Sequence, residues 1–270
     1  VVEFMRTNGI DDPNKLAVGQ ELVVPHKRLE ELEVAGGPTI LYMDLICEID
    51  VRVAAFGPDS QPIGGAGVIE VFIRWLRIEG PREAPKVNGR LRGLVQADAV
   101  AFLGDVVDAV EQHGYACRTS FDGRCMWLQQ EYQVMLATED YLSVRNTLRR
   151  LMPGAVGDAS EIRAETFDLS TGRPIAIGDL FDPATDWVPA LSAAAIERLG
   201  NEPWTDDRRF TGAGPQAANF TRFNLTGGGL VLSFPPLTVG GSGTNTLSVT
   251  VPYRTLDGYW APDGPVPMIG

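Results

Sequence analysis

The run over residues 88–113 constrains the fold more than any other. Leu91, Leu94, Val95, Ala99, Phe102, Val106 and Val110 recur there at three- and four-residue spacing. That period draws one apolar stripe along a helix and requires an apolar surface to cover it. Gly114 ends the helix. The next part of the chain has another period: 115–121, 125–137, 141–151 and 162–169 are β-rich runs divided by Asp122-Gly123, Thr138-Glu139-Asp140 and Pro153-Gly154, the pattern of an antiparallel meander. A second helix is expected over about 187–199, with Asp186 as cap, Pro189 in the first turn and Gly200 after the end. Val188, Leu191, Ala195, Ile196 and Leu199 form its buried face. Residues 220–225, 229–234 and 246–253 return to β, and 39–55 and 68–78 are two earlier β-rich runs. Without a repeating βαβ rhythm, the expected class is α+β, an antiparallel sheet packed with two main helices.

Composition narrows the partners. Of 270 residues, 44% are apolar and 21% charged, which is the balance of a globular protein with a sizeable core. No apolar run reaches the roughly 20 residues that span a bilayer. The net charge is −12 and the sequence shows no basic cluster, so nucleic acid and anionic membrane are poor partners. A cationic protein would instead be steered toward this surface.

Residues 8–25 carry the most specific local pattern. Apolar Val1, Val2, Phe4 and Met5 suit the end of a short helix, which Asn8-Gly9 stops. Asp11-Asp12-Pro13-Asn14 is a turn cluster, and Leu22-Val23-Val24 is a short β run ended by Pro25. The stretch resembles the second half of a LysM module, the βααβ domain that holds N-acetylglucosamine polymers such as peptidoglycan. The resemblance implies glycan-binding positions at Asn8, Gly9, Ile10, Asp11, Pro13 and Leu16. It also implies an extracytoplasmic protein of the cell wall, periplasm or cell surface. A LysM module needs a first strand and helix that would precede Val1, so the chain is expected to begin inside a domain.

The cysteines are Cys47, Cys117 and Cys125. Cys117 and Cys125 flank the turn signal Phe121-Asp122-Gly123, a spacing that suits a disulfide-closed hairpin. Direct pairing requires an odd number of connecting residues, hence a three- or five-residue loop, and would add about 2 kcal/mol. Cys47, within Leu45-Ile46-Cys47, reads as a buried free thiol. A zinc site is not expected, since the chain has no CxxC pair and its histidines are His26 and His113.

Two passages carry a second resemblance. One runs from Tyr141-Leu142-Ser143-Val144-Arg145 to the segment 168–181, Asp168-Leu169-Ser170-Thr171-Gly172 through Asp179-Leu180-Phe181. The other runs from Asn219-Phe220 through 229–236 to 249–256. Together they are similar to the extracytoplasmic region of RsiV-like proteins, also found beside peptidoglycan deacetylase domains. The similarity covers roughly 66–260. Residue by residue, Asp168 to Gly172 reads as a hairpin turn in which Gly172 takes positive φ, with Leu180 and Phe181 packed inward. Some members of that family bind lysozyme, a basic protein, which the charge of −12 suits. In that family an aromatic often follows the Phe-Pro pair. Here Pro236-Leu237-Thr238-Val239 stands in its place, so lysozyme recognition does not transfer directly.

No catalytic constellation is legible. Two scattered histidines cannot form the Asp-His-His site of a deacetylase. Asp105, Asp108 and Glu111 read as a solvated helix face, and Gly227-Gly228-Gly229 lacks the GKS or GKT of a phosphate loop. The expected organisation is a partial LysM module (1–25), a linker (26–38), a β-rich connecting segment (39–65), an α+β domain (66–260) and a tail (261–270). The expected function is a non-enzymatic envelope protein without cofactor or metal, anchored to peptidoglycan, whose α+β domain binds a protein or glycan. Two alternatives stand beside it: a structural subunit of a cell-surface assembly, which would bind another envelope subunit, and a lysozyme-binding sensor or inhibitor.

Overall fold

A computed structural model of the chain describes residues 27–33, 37–56, 62–113, 124–151, 159–200, 210–239 and 246–269. Within them, one sheet holds seven strands in chain order: β1 (Lys27–Glu33), β2 (Thr39–Phe56), β3 (Pro62–Glu79), β4 (Arg124–Ala137), β5 (Tyr141–Leu151), β6 (Ala159–Asp168) and β7 (Arg173–Pro174). Neighbours are antiparallel except β3 and β4, which are parallel. Helix α1 (Ala84–His113) lies in the chain between that parallel pair, as a parallel partner is reached only by a crossover. The expected α+β class with a predominantly antiparallel sheet is what the chain adopts.

Helix α1 starts at Ala84 rather than Asn88, because Pro85 falls in the first turn, where its missing N–H costs nothing. Its stripe of Leu91, Val95, Phe102 and Val106 is buried against Met126, Leu128, Leu142, Val144, Leu148 and Phe167 of the sheet. Asn88 does more than belong to the helix. Strand β3 pairs with β4 only as far as Arg74, and beyond it the Asn88 amide acts as the next strand. Its Oδ1 accepts from the Ile78 N–H at 2.8 Å and its Nδ2 donates to the Ile78 carbonyl at 2.9 Å.

A second core lies around helix α2 (Trp187–Gly200) and a three-stranded antiparallel sheet of β8 (Phe223–Thr226), β9 (Gly229–Phe234) and β10 (Leu247–Val251). Leu191, Ala195 and Leu199 of α2 are buried, while Val188 and Ile196 are half-buried. Phe220, expected to open a strand, instead ends a 3₁₀ turn, Ala217–Phe220, and meets Phe234 edge-on at 6.4 Å.

The two layers are joined through alternation along β5. Leu142, Val144 and Leu148 belong to the α1 core, so Ser143 and Arg145 project from the other face. Ser143 Oγ accepts from Asn224 Nδ2 and from the Leu225 N–H, each at 3.0 Å, and lies 3.0 Å from Thr166 Oγ1. With both lone pairs taken, the Ser143 proton is left to donate to Thr166. Asn224 Nδ2 also donates to the Val144 carbonyl at 2.8 Å. The half-buried Arg145 donates to Ser233 Oγ and Ser248 Oγ at 3.3 and 3.4 Å. Both passages of the RsiV-like resemblance therefore meet at this seam.

The turn between β6 and β7 fits the sequence reading. Gly172 has φ 69° and donates its N–H to the Asp168 carbonyl at 2.8 Å. A further constraint comes from the start of α1 and the residue before it: a Cβ on Gly172 would lie 3.0 Å from Glu83 Cβ and 3.1 Å from Lys86 Cβ.

Two differences from expectation concern the N-terminal part and organisation. Lys27–Glu33, expected inside an exposed linker, forms β1 at the sheet edge, paired from Lys27↔Asp44 to Glu33↔Thr39; a strand rich in Lys, Arg and Glu suits an edge that must not recruit another chain. The β2–β3 register is unbroken from Thr39↔Glu79 to Phe56↔Pro62, so β3 runs through the expected boundary between 65 and 66. The 1–25 module and the 115–121 strand lie outside the described residues.

Two substitutions test these joints by urea denaturation. Ser143→Ala leaves the Leu225 N–H and one Asn224 donor without an acceptor and should cost about 2–3 kcal/mol. Gly172→Ala combines positive φ with a crowded Cβ and should cost about 2 kcal/mol.

Candidate functional site

The β6–β7 turn is held by one carboxylate. Asp168 Oδ1 accepts from the Ser170 N–H at 2.7 Å, the Ser170 hydroxyl at 2.6 Å and the Thr171 N–H at 3.2 Å. Burial alone would raise the Asp168 carboxyl, but these bonds from Ser170 and Thr171 outweigh it and hold the group below its usual range. The chain then passes β7 and enters the 3₁₀ turn Ile177–Leu180, where Asp179 Oδ2 accepts from the Ala176 N–H at 2.8 Å.

Phe181 ties the C-terminal segment to this turn. Its ring stacks on Trp187 at 4.4 Å and on Trp260 at 4.8 Å, an aromatic sandwich in the second core. Backbone bonds from the Asp182 N–H to the Tyr259 carbonyl (2.8 Å) and from the Ala261 N–H to the Leu180 carbonyl (3.0 Å) fix the register. Trp260 Nε1 donates to the Tyr253 carbonyl at 3.0 Å. The Tyr253 hydroxyl donates to the Thr226 carbonyl at 2.7 Å, and burial pushes its pKa up to about 12. The segment is thereby carried past the start of β5.

Between these elements opens a cleft of about 340 Å³ lined by Tyr141, Asp168, Thr171, Arg173, Pro174, Ile175, Asp179, Asp263, Gly264 and Pro265. Its charge is three carboxylates against one guanidinium. Asp168 and Asp179 are oriented by the turns they close, whereas Asp263 makes no hydrogen bond or ion pair among the described residues. Burial, then the charges of Asp140 and Asp168, raise the Tyr141 phenol, which stays neutral and lies with its hydroxyl 3.4 Å from Met268 Sδ. No His, Cys or Lys lines the cleft. Among the described residues, no three His, Cys, Asp or Glu side chains converge on a metal position. Chemically the cleft concentrates negative charge at a concave surface, which fits the cationic side chains of a partner.

A second cleft, of about 330 Å³, lies at the start of α1 and is lined by Trp75, Leu76, Arg77, Pro85, Asn88, Gly89 and Arg92. Arg77 is paired with Glu79 at 3.1 Å. Folding thus brings together two arginines that are separated in a sequence without a basic cluster.

Of the residues singled out from sequence, Asn8, Gly9, Ile10, Asp11, Pro13, Leu16 and Cys117 lie outside the described residues, and with Cys117 so does its pairing to Cys125. Cys47 and Cys125 are described only as backbone, in β2 and β4. Leu180 and Phe181 are buried, as expected. Asp105 is ion-paired with Arg150 at 3.5 Å rather than simply solvated. Leu237, in the loop that departs from the family pattern, is 65% exposed at φ 66°.

Sequence reading missed Asp98, which is buried on the inner face of α1 between Arg163 Nη1 (2.5 Å) and Gln130 Nε2 (2.8 Å). A signal existed: Asp98 falls on the apolar stripe, three residues after Val95 and four before Phe102. No comparable signal unites Tyr141, Arg173 and Asp263.

No family model matches the chain, and no curated protein matches its sequence. Solved structures similar in fold include two from the DUF3298 family. One is a member of the DUF3298 family from Bacteroides fragilis, with a TM-score of 0.55 at 13% identity, covering 84% of this chain and 95% of that one. The other is a DUF3298 family protein from Pseudomonas aeruginosa, with a TM-score of 0.50 at 12% identity, covering 89% of this chain and 95% of that one. At these identities the likeness is one of fold, and it is compatible with the RsiV-like α+β domain that residues 66–260 resemble.

Proposed function

We propose that this chain is a non-enzymatic extracytoplasmic cell-envelope protein whose α+β domain receives a basic protein partner. The observation that carries the proposal is the cleft between β5, the β6–β7 turn and the C-terminal segment, with Asp168, Asp179 and Asp263 on its lining and one arginine among them. A net charge of −12 adds long-range attraction for a cationic surface. The exposed Leu237, held in a left-handed conformation, is a second contact point in the loop where the sequence departs from the RsiV-like pattern. The LysM-like stretch supports tethering to peptidoglycan through Asn8, Gly9, Ile10, Asp11, Pro13 and Leu16. Retention of the full-length protein on intact peptidoglycan tests that arm, and its absence from the pellet rejects it.

Calorimetric titration with a basic lysozyme tests the cleft. Binding should be detectable at low salt and weaken on reaching physiological salt, because exposed charge pairs are screened beyond about 8–10 Å. Asp263→Asn should weaken it about two- to fivefold, the size of one exposed charge contact. The pH dependence has a definite sign. Carboxylates must be ionised to attract a cation, so binding is held at neutral pH and lost as pH falls through the carboxylate range near 4. Asp168, held below its usual range by the bonds from Ser170 and Thr171, stays ionised to lower pH than a free aspartate. No heat at either salt concentration, or an Asp263→Asn variant indistinguishable from the parent protein, would reject the cleft as the docking site.

A further inference from the structure

We propose that the second cleft, between β3 and the flank of α1, is a binding site for an acidic saccharide, a pyranose ring that carries a carboxylate. The site depends neither on the acidic cleft nor on the LysM-like stretch. Pro85, the pair Asn88-Gly89 and Arg92 stand one turn apart along the helix, and Trp75, Leu76 and Arg77 of β3 face them across about 330 Å³. Charge is the first argument. The chain has 35 acidic residues against 23 Lys and Arg, yet this lining carries two guanidinium groups and no carboxylate. Arg92 is exposed and has no ion pair among the described residues. Arg77 meets Glu79 through one nitrogen at 3.1 Å, with both side chains at least half exposed, a weak contact that leaves the guanidinium further donors. Two guanidinium forks on one cleft suit a carboxylate, which accepts paired N–H donors. The net charge of −12 works against a polyanion, so the charge that fits is that of a small acid.

The remaining walls say what the carboxylate is attached to. Strand β3 leaves β4 after Arg74, and the Asn88 amide takes both main-chain groups of Ile78. The cleft is thus a notch in the edge of the sheet between those two points. Main-chain groups alternate between the two edges of a strand. Those of Leu76 therefore face the same edge as those of Ile78, with one donor and one acceptor, which suits the hydroxyl groups of a sugar. A notch spanning only 75–77 is too short for a peptide strand to pair along, but it takes a single ring. Trp75 is half-buried and brings an indole to the lining, an apolar surface for the C–H face of a pyranose. Gly89 keeps the space open. It is exposed, a Cβ on it would meet nothing within 4 Å, and its φ is not positive. Neither packing nor backbone conformation requires glycine there, although glycine weakens a helix relative to alanine.

Amide-resolved NMR on the full, isotopically labelled chain tests this, with methyl β-D-glucuronide as ligand and methyl β-D-glucoside as the same ring without the carboxylate. The glucuronide should shift the Gly89 amide and the Asn88 side-chain amide saturably, with a Kd of about 1 mM. The glucoside should bind about tenfold more weakly, and Arg92→Gln should weaken the glucuronide about fivefold while leaving the glucoside unchanged. Gly89→Leu separates binding from folding: it should hold or raise the Tm, because a helical glycine is removed, while the response to the glucuronide disappears. Five results overturn the proposal: no saturable shift up to about 20 mM glucuronide; equal binding of the two saccharides; the same shifts from acetate or inorganic phosphate, which would mean an adventitious ion only; tighter binding of an acidic tripeptide than of the glucuronide; or a Gly89→Leu variant that binds like the parent.

Discussion

The Ser143 hydroxyl is the constraint on which the rest of the structure depends. It projects from the face of β5 opposite α1, accepts from Asn224 and the Leu225 N–H, and reaches Thr166 at 3.0 Å. Buried donors without acceptors are costly, so these four groups fix the small sheet at one place on the large one. Everything on the C-terminal side inherits that placement: β8 to β10, the Tyr253 corner, the Trp260 stack and the segment that closes the acidic cleft. The same strand serves the other core through Leu142, Val144 and Leu148. One strand of alternating character thus carries both layers.

The polar groups beneath α1 work in a similar way. Asp98 is taken into the helix–sheet interface only because Arg163 and Gln130 meet it there, and Arg90 forms a two-pronged contact with Glu165 at 2.8 and 3.0 Å. Such pairs add little net stability when weighed against desolvation, but leaving one member unpaired is expensive. Their effect is to set the rotation and height of the helix on the sheet. That rotation decides which face of α1 turns outward, and so exposes Val100, Leu103 and Val107.

Much of the fold was legible because it rests on local periodicity. The stripe from Leu91 to Val106, the alternation of β4 to β6, the Gly172 turn and the inward Leu180 and Phe181 all follow from spacing and backbone chemistry. The strand at Lys27–Glu33 reads as a linker in sequence because its charges obscure the period, and charge is what an edge strand tolerates. The early start of α1 was hidden by Pro85. The cleft was not legible at all: Tyr141, Asp168 and Asp263 come from separate segments, and their approach depends on how β5, β7 and the C-terminal segment pack.

The sequence by itself determined the class of fold, the period of each main element and the sign of the charge, since these depend on residues close in the chain or on composition alone. Tertiary structure decided the rest. It placed Arg173 among three carboxylates, joined the two resembling passages at Ser143, and turned one apolar face of α1 inward and another outward. Those outcomes depend on long-range burial and on which hydrogen-bond partners meet, quantities that no local pattern contains.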